Sequence, residues 1–86
     1  MELQLFHKWT CPYSAKVRDF IEENGLREKI EYVDREEKSN SQKLKDLTGK
    51  TQVPCLLVDG KPMHESEDII AFLKENLLSS SQQASL

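Results

Sequence analysis

"HKWTCPYSAK" (His7–Lys16) governs the reading of the whole chain, because a strand pattern ends inside it and a helix pattern begins. Upstream, "ELQLF" (Glu2–Phe6) alternates polar and apolar residues, the period of a short strand. Downstream, Val17, Phe20 and Ile21 fall at i, i+3 and i+4, one apolar stripe of a helix expected from Pro12 to Asn24. Pro12 suits the first helical position, where a backbone N–H would have no intrahelical partner. Asn24-Gly25 supplies the stop. Cys11 therefore stands where first-turn N–H groups point outward unpaired and the macrodipole adds roughly half a positive charge. A thiolate is stabilised there, and cysteines so placed have pKa values lowered to about 3.5–7.5. Lys8 adds a cation nearby.

The remaining elements follow from pattern. "KIEYVD" (Lys29–Asp34) reads as a second strand, with Ile30 and Tyr32 on one face and Glu31 and Val33 on the other. "SNSQKLKDLTGK" (Ser39–Lys50) reads as a short helix: Ser39 and Gln42 have capping-box spacing, Leu44 and Leu47 form its stripe, and Gly49 closes it. "PCLLVDGKPMH" (Pro54–His64) is a hairpin around Asp59-Gly60. Ser66 is expected to N-cap the last helix, with Glu67 and Asp68 in its first turn and Ile69, Ile70, Phe72, Leu73 and Leu77 on its buried face. The order is β-α-β-α-β-β-α. A right-handed parallel crossover followed by an antiparallel hairpin gives an α/β fold, a mixed four-stranded sheet flanked by helices. Residues 1–78 are expected to form one domain and 79–86, "SSSQQASL", a disordered polar tail.

Composition narrows the function. Of 86 residues, 37% are hydrophobic and 31% charged, a mixture usual for a single soluble domain. A net charge of −3 argues against nucleic-acid binding, which needs a basic surface. No apolar run approaches the roughly 20 residues needed to span a bilayer, so no membrane role is expected. "MELQLF" lacks the basic and apolar regions of a signal peptide, and the chain is expected to be cytoplasmic. In that compartment thiols stay reduced, so a cysteine reads as reactive or buried. Two cysteines, Cys11 and Cys55, make neither a disulfide framework nor a zinc site, although a bridge between them stays open. No metal site is expected from His7 and His64, and the charge run "DREEKSNSQK" (Asp34–Lys43) reads as a solvated face.

"KWTCPYS", followed by "QVPCLLVDG" and then "ESED", resembles the glutaredoxin family, with its thioredoxin-like fold, and is similar to the N-terminal domain of glutathione transferases. The match covers roughly residues 2–77. It implies a glutathione-dependent thiol–disulfide oxidoreductase with Cys11 as nucleophile and glutathione as co-substrate. Its partners would be glutathionylated or disulfide-containing proteins, and the chain is expected to be a monomer. Three positions depart from the commonest glutaredoxins. Ser14 stands where a second cysteine is usual, Gln52 replaces threonine before Val-Pro, and His64-Glu65 replaces a Gly-Gly pair. The first departure implies a monothiol cycle, in which Ser14 can donate to the Cys11 thiolate but cannot be oxidised to a bridge; Ser14→Ala should then keep most activity.

The resemblance also assigns ligand contacts. Lys8 and Gln52 would hold the glycine carboxylate of glutathione, and Tyr13 would line the groove. Val53 would pair its backbone with the cysteinyl part, before a Val53–Pro54 bond that is cis in the family. The γ-glutamyl carboxylate would sit on the N–H groups of Ser66 and Glu67, with Asp68 accepting from the ligand's ammonium. Plainer readings remain beside these: a solvated Lys8, a Ser66–Asp68 segment that merely caps its helix, a Trp9 that packs or faces substrate, and a Cys55 in the core. Two other functions compete with the oxidoreductase. One is a glutathione-ligated iron–sulfur carrier, although such proteins usually have Cys-Gly-Phe-Ser. The other is a non-catalytic glutathione-binding module of the transferase type.

Overall fold

Leu3–His7 (β1) is the strand on which the sheet is built. A computed structural model describes residues 1–78; the expected polar tail lies outside the described residues. β1 runs parallel to β2 (Glu31–Asp34) on one side and antiparallel to β3 (Cys55–Val58) on the other, and β3 pairs with β4 (Lys61–Met63). The order across the sheet is β2-β1-β3-β4. Register places Phe6 between Val33 and Cys55, and Leu5 between Tyr32 and Leu56. Side chains alternate across the pleat, so β1 feeds two cores. Leu3 and Leu5 join Val17, Ile21, Ile30, Leu56, Ile69 and Leu73 on the face covered by α1 (Pro12–Glu23) and α3 (Ser66–Leu73). Phe6 joins Val33, Leu44, Cys55 and Leu57 on the face covered by α2 (Lys38–Thr48). This is the mixed four-stranded, thioredoxin-like architecture expected.

The start and stop of α1 match their sequence signals. Cys11 is the N-cap, Pro12 follows it, and the chain leaves through Gly25 at φ 67°. Four expectations need correction. The second strand is shorter than Lys29–Asp34, because Arg27–Lys29 forms a 3₁₀ turn that delivers Ile30 to the core. The Ser39–Gln42 capping box does not form. Asp34 instead makes an Asx turn, its Oδ1 accepting from the Glu36 N–H at 2.9 Å, and α2 starts one residue earlier, after Glu37. Gln42 is engaged along the helix with Asp46 at 2.8 Å.

Leu47 is the third correction: it is 46% exposed, leaving Leu44 as the buried anchor of α2. Fourth, the N-cap of α3 is Glu65 rather than Ser66. The Glu65 carbonyl accepts the Ile69 N–H at 3.0 Å, while Ser66 is the first helical residue and is buried. Glu65 turns the chain from β4 into α3 at φ 72°, a conformation that glycine adopts without cost and other residues rarely take. Having His64-Glu65 at this corner in place of a glycine pair thus strains the backbone next to the groove described below.

Beyond α3 the chain widens into a π-helical turn, Lys74–Leu78, that carries Leu77 and Leu78 against the first core. Among the described residues no helix is long and apolar enough to cross a membrane.

Candidate functional site

Cys11 is held by the loop that joins β1 to α1. Its N–H donates to the Lys8 carbonyl at 3.0 Å, and its own carbonyl accepts the first helical N–H, from Ala15, at 2.9 Å. The thiol is partly exposed. Partial burial pushes it up, but this is outweighed by hydrogen bonds from the Ser14 N–H, the Ser14 hydroxyl and the Tyr13 N–H, and by the charge of Lys8. The result lies below the ordinary thiol value. Cys55 behaves oppositely. It is fully buried, and burial pushes its thiol up. Both cysteines are free.

Ser14 has two duties in this loop. Its hydroxyl oxygen accepts the Lys8 N–H at 3.3 Å, while the hydroxyl proton remains available to the sulfur. The side chain is completely buried, so a donor and an acceptor are satisfied where water cannot replace them.

A second brace was not legible in the sequence. Arg18, on the buried side of α1, donates to the carbonyls of Lys8 (3.2 Å) and Trp9 (3.1 Å) and to Nδ1 of His7 (3.0 Å). Its guanidinium also lies 4.7 Å from the centre of the Trp9 ring. A guanidinium only donates, so His7 Nδ1 must accept and the ring must be neutral, protonated at Nε2. Burial depresses the His7 pKa, the charges of Arg18 and Arg27 depress it further, and Asp34 opposes them. An arginine at this α1 position reads as an ordinary helix-face residue until the loop is folded over it. Trp9 is 59% exposed although its ring packs edge-on against His7, so it combines packing with an outward surface.

Two cavities adjoin around the thiol. One, of about 430 Å³, is lined by Lys8, Thr10, Cys11, Pro12, Arg35, Thr51, Gln52 and Val53. The other, of about 450 Å³, is lined by Tyr13, Lys16, Gln52, Val53, Pro54, Glu65, Ser66 and Glu67. Gln52 and Val53 belong to both, so the two form a continuous groove passing the nucleophile. The Val53–Pro54 peptide bond is cis. Eight of the ten residues singled out from sequence line the groove, and Ser14 is buried beneath it. Asp68 is exposed and does not line either cavity.

The charge run Asp34–Lys43 is not wholly a solvated face. Arg35 is half-buried, donates its backbone N–H to the His7 carbonyl at 2.8 Å, and lines the cavity beside Cys11. Its Nε is buried without a hydrogen-bond partner among the described residues. Nothing in the local pattern separates Arg35 from the charges that follow it. Lys8 is paired with Glu36 at 3.3 Å, and Lys16 with Glu67.

The groove is therefore bipolar. The end beside Cys11 is lined by two cations, Lys8 and Arg35, and the far end by Lys16 together with Glu65 and Glu67. Among the described residues no group of three or more His, Cys, Asp or Glu side chains comes together to hold a metal ion.

A thioredoxin-like domain with a cysteine at an open helix N-terminus, facing a cis-proline groove, defines the class. Within it, residues 10–76 match the model of the glutathione S-transferase N-terminal domain, and the chain belongs to that family. Solved structures agree. Glutathione transferase Omega 3C from Trametes versicolor is 28% identical with a TM-score of 0.72, over 87% of this chain and 33% of its own. A β-etherase from Sphingobium is 30% identical with a TM-score of 0.70, over 87% of this chain and 31% of its own. Glutaredoxin C1 from poplar (Populus tremula x tremuloides) shares the fold at 22% identity and a TM-score of 0.66, over 99% of this chain and 86% of its own. The chain spans about a third of the length of the first two. No curated protein matches it at a significant level.

Proposed function

We propose that the chain is a glutathione-dependent thiol–disulfide oxidoreductase that works by a monothiol cycle through Cys11. The observation that carries this reading is Cys11 at the mouth of the groove, with its thiol held low by the Ser14 and Tyr13 N–H groups, the Ser14 hydroxyl and Lys8. In the first step the Cys11 thiolate attacks the glutathione sulfur of a mixed disulfide. The S–S bond breaks, the Cys11–glutathione disulfide forms, and the substrate leaves as a thiolate that takes up a proton. In the second step the thiolate of another glutathione attacks the glutathione sulfur on Cys11, releasing oxidised glutathione and the Cys11 thiolate. Glutathione is the reductant. Ser14 offers no second sulfur and Cys55 is sealed in the core, so an internal disulfide has no ready partner.

Two opposed effects show which step the helix terminus serves. Lowering a thiol's pKa raises its thiolate fraction at neutral pH. With a Brønsted slope near about 0.4–0.5, the same drop costs intrinsic nucleophilicity, which offsets the gain in attack. Departure in the second step has no such offset, because a stabilised thiolate leaves faster.

Charge sets the ligand's direction. The glycine carboxylate lies at the Lys8–Arg35 end, the cysteinyl backbone along Val53, and the γ-glutamyl group at the first turn of α3, where the Ser66 and Glu67 N–H groups await an anion. Substrate proteins and a cytoplasmic location belong to the same proposal. A second reading, a glutathione-binding module of a longer transferase, is favoured by the family match and by the chain's one-third coverage of the transferases.

Glutathione-coupled reduction of a small mixed disulfide separates the two. The oxidoreductase reading expects turnover by wild type and Cys55→Ser and none by Cys11→Ser. Glutathione binding without turnover by wild type would select the module.

A further inference from the structure

Each end of the groove is already occupied by an ion pair of the protein's own, Lys8–Glu36 at one end and Lys16–Glu67 at the other. The two pairs differ in what they stand to gain from a ligand. Lys16 and Glu67 both line the cavity. A γ-glutamyl group presents a carboxylate and an ammonium on one carbon, so it can insert between them, giving Lys16 its carboxylate and Glu67 its ammonium. At the other end Lys8 lines the cavity but Glu36 does not, and the glycine carboxylate offers Glu36 nothing in return. There the ligand competes with Glu36 for one cation and meets its negative charge as well.

We infer that glutathione enters by exchanging partners with these two pairs. Glu67 acts as a selectivity residue for the ligand's free amino group, and Glu36 acts as a built-in competitor that weakens binding. This rests on the glutathione reading of the groove and deepens it. The two glutamates therefore have opposite signs. Lys8 and Glu36 are 36% and 53% exposed, Lys16 and Glu67 51% and 72%, so screening keeps each effect modest, roughly two- to five-fold.

The test is isothermal calorimetry at low ionic strength with three probes: glutathione, N-acetylglutathione, which lacks the ammonium, and glutathione amide, in which a neutral amide replaces the glycine carboxylate. Glu36→Gln is expected to tighten glutathione and N-acetylglutathione while leaving glutathione amide unchanged. Glu67→Gln is expected to weaken glutathione and glutathione amide while leaving N-acetylglutathione unweakened. Lys16→Met should weaken all three alike, since each keeps the γ-glutamyl carboxylate. If the pairs merely brace the fold, Glu67→Gln and Lys16→Met would move the melting temperature together and leave the ratios between probes untouched, overturning the inference. Unchanged or weaker glutathione binding in Glu36→Gln would overturn it as well, and a gain in affinity cannot come from misfolding. Failure of wild type to bind any probe would instead remove the glutathione reading itself.

Discussion

Ser14 and Lys8 are joined by a 3.3 Å hydrogen bond in which the Lys8 N–H donates to the buried Ser14 hydroxyl. The same hydroxyl faces the sulfur of Cys11. Replacing Ser14 by alanine therefore does two things. It strands a partly buried N–H, at about 1 kcal/mol, which in a domain of this size lowers the melting temperature by roughly 4–8 °C. It also removes one of the donors holding the thiol down. Reductase activity near neutral pH is expected to survive largely intact, with the acid limb of the pH–rate profile displaced upward. A profile superimposable on wild type would contradict the role given to the hydroxyl.

The depressed Cys11 thiol links stability to pH. The folded state loses this proton before the unfolded chain does, at its ordinary value of 9.0. Between the two values the unfolded state binds more protons, so reduced protein gains stability as pH rises toward 9.0 and loses it as pH falls through the folded value. Burial raises Cys55 instead, so its contribution is complete below 9.0 and declines above it. Urea midpoints between pH 6 and 9 should climb in wild type and flatten in Cys11→Ser. An unaltered climb in that variant would assign the linkage elsewhere.

His7 gives the same sign over a more acidic range. Burial and the neighbouring charges of Arg18 and Arg27 keep it neutral, with Asp34 pulling the other way. Its folded value lies below 6.5, so the unfolded chain protonates first and stability falls as pH drops below 6.5 until the folded ring also titrates. Protonation there sets His7 against Arg18, the residue that also holds the Lys8 and Trp9 carbonyls. Asparagine can still accept from Arg18 and does not titrate. His7→Asn is expected to reduce the loss of stability between pH 7 and pH 5, measured by denaturant unfolding. An equal loss in both proteins would rule out His7 as its source.

What could be read from the sequence divides along a physical line. Strand period, the proline at the start of α1, the glycines at helix ends and the Asp-Gly turn are local effects, and they locate Cys11, Ser14 and the hairpin without knowledge of the partners. Capping was local too, yet it failed twice, at Ser39 and at Ser66. An Asx turn at Asp34 and a left-handed Glu65 had already fixed where the helices begin. Arg18 and Arg35 could not be found this way at all. Their importance comes from chain segments outside their own helix or loop that fold over them, and on a pattern of alternating charges they look like their solvated neighbours. The bipolarity of the groove is a property of that assembly alone.

Arg35 is the residue on which the ligand's direction can be tested most directly. It lines the cavity beside Cys11, and its Nε is a buried donor with no partner among the described residues. An unmet buried donor costs about 1–3 kcal/mol, so the side chain has more to gain from a carboxylate than Lys8, which already holds Glu36 at 3.3 Å. A planar guanidinium can also engage a carboxylate through two parallel bonds, which an ammonium cannot. Arg35→Gln is therefore expected to raise the KM for glutathione by roughly ten-fold, converting about 1.4 kcal/mol of lost binding. Lys8→Gln should cost less. Neither should matter for glutathione amide, whose glycine carboxylate is replaced by a neutral amide. If Arg35→Gln penalised both thiols equally, the carboxylate would not lie at this end, and the direction drawn from the groove's charges would be reversed.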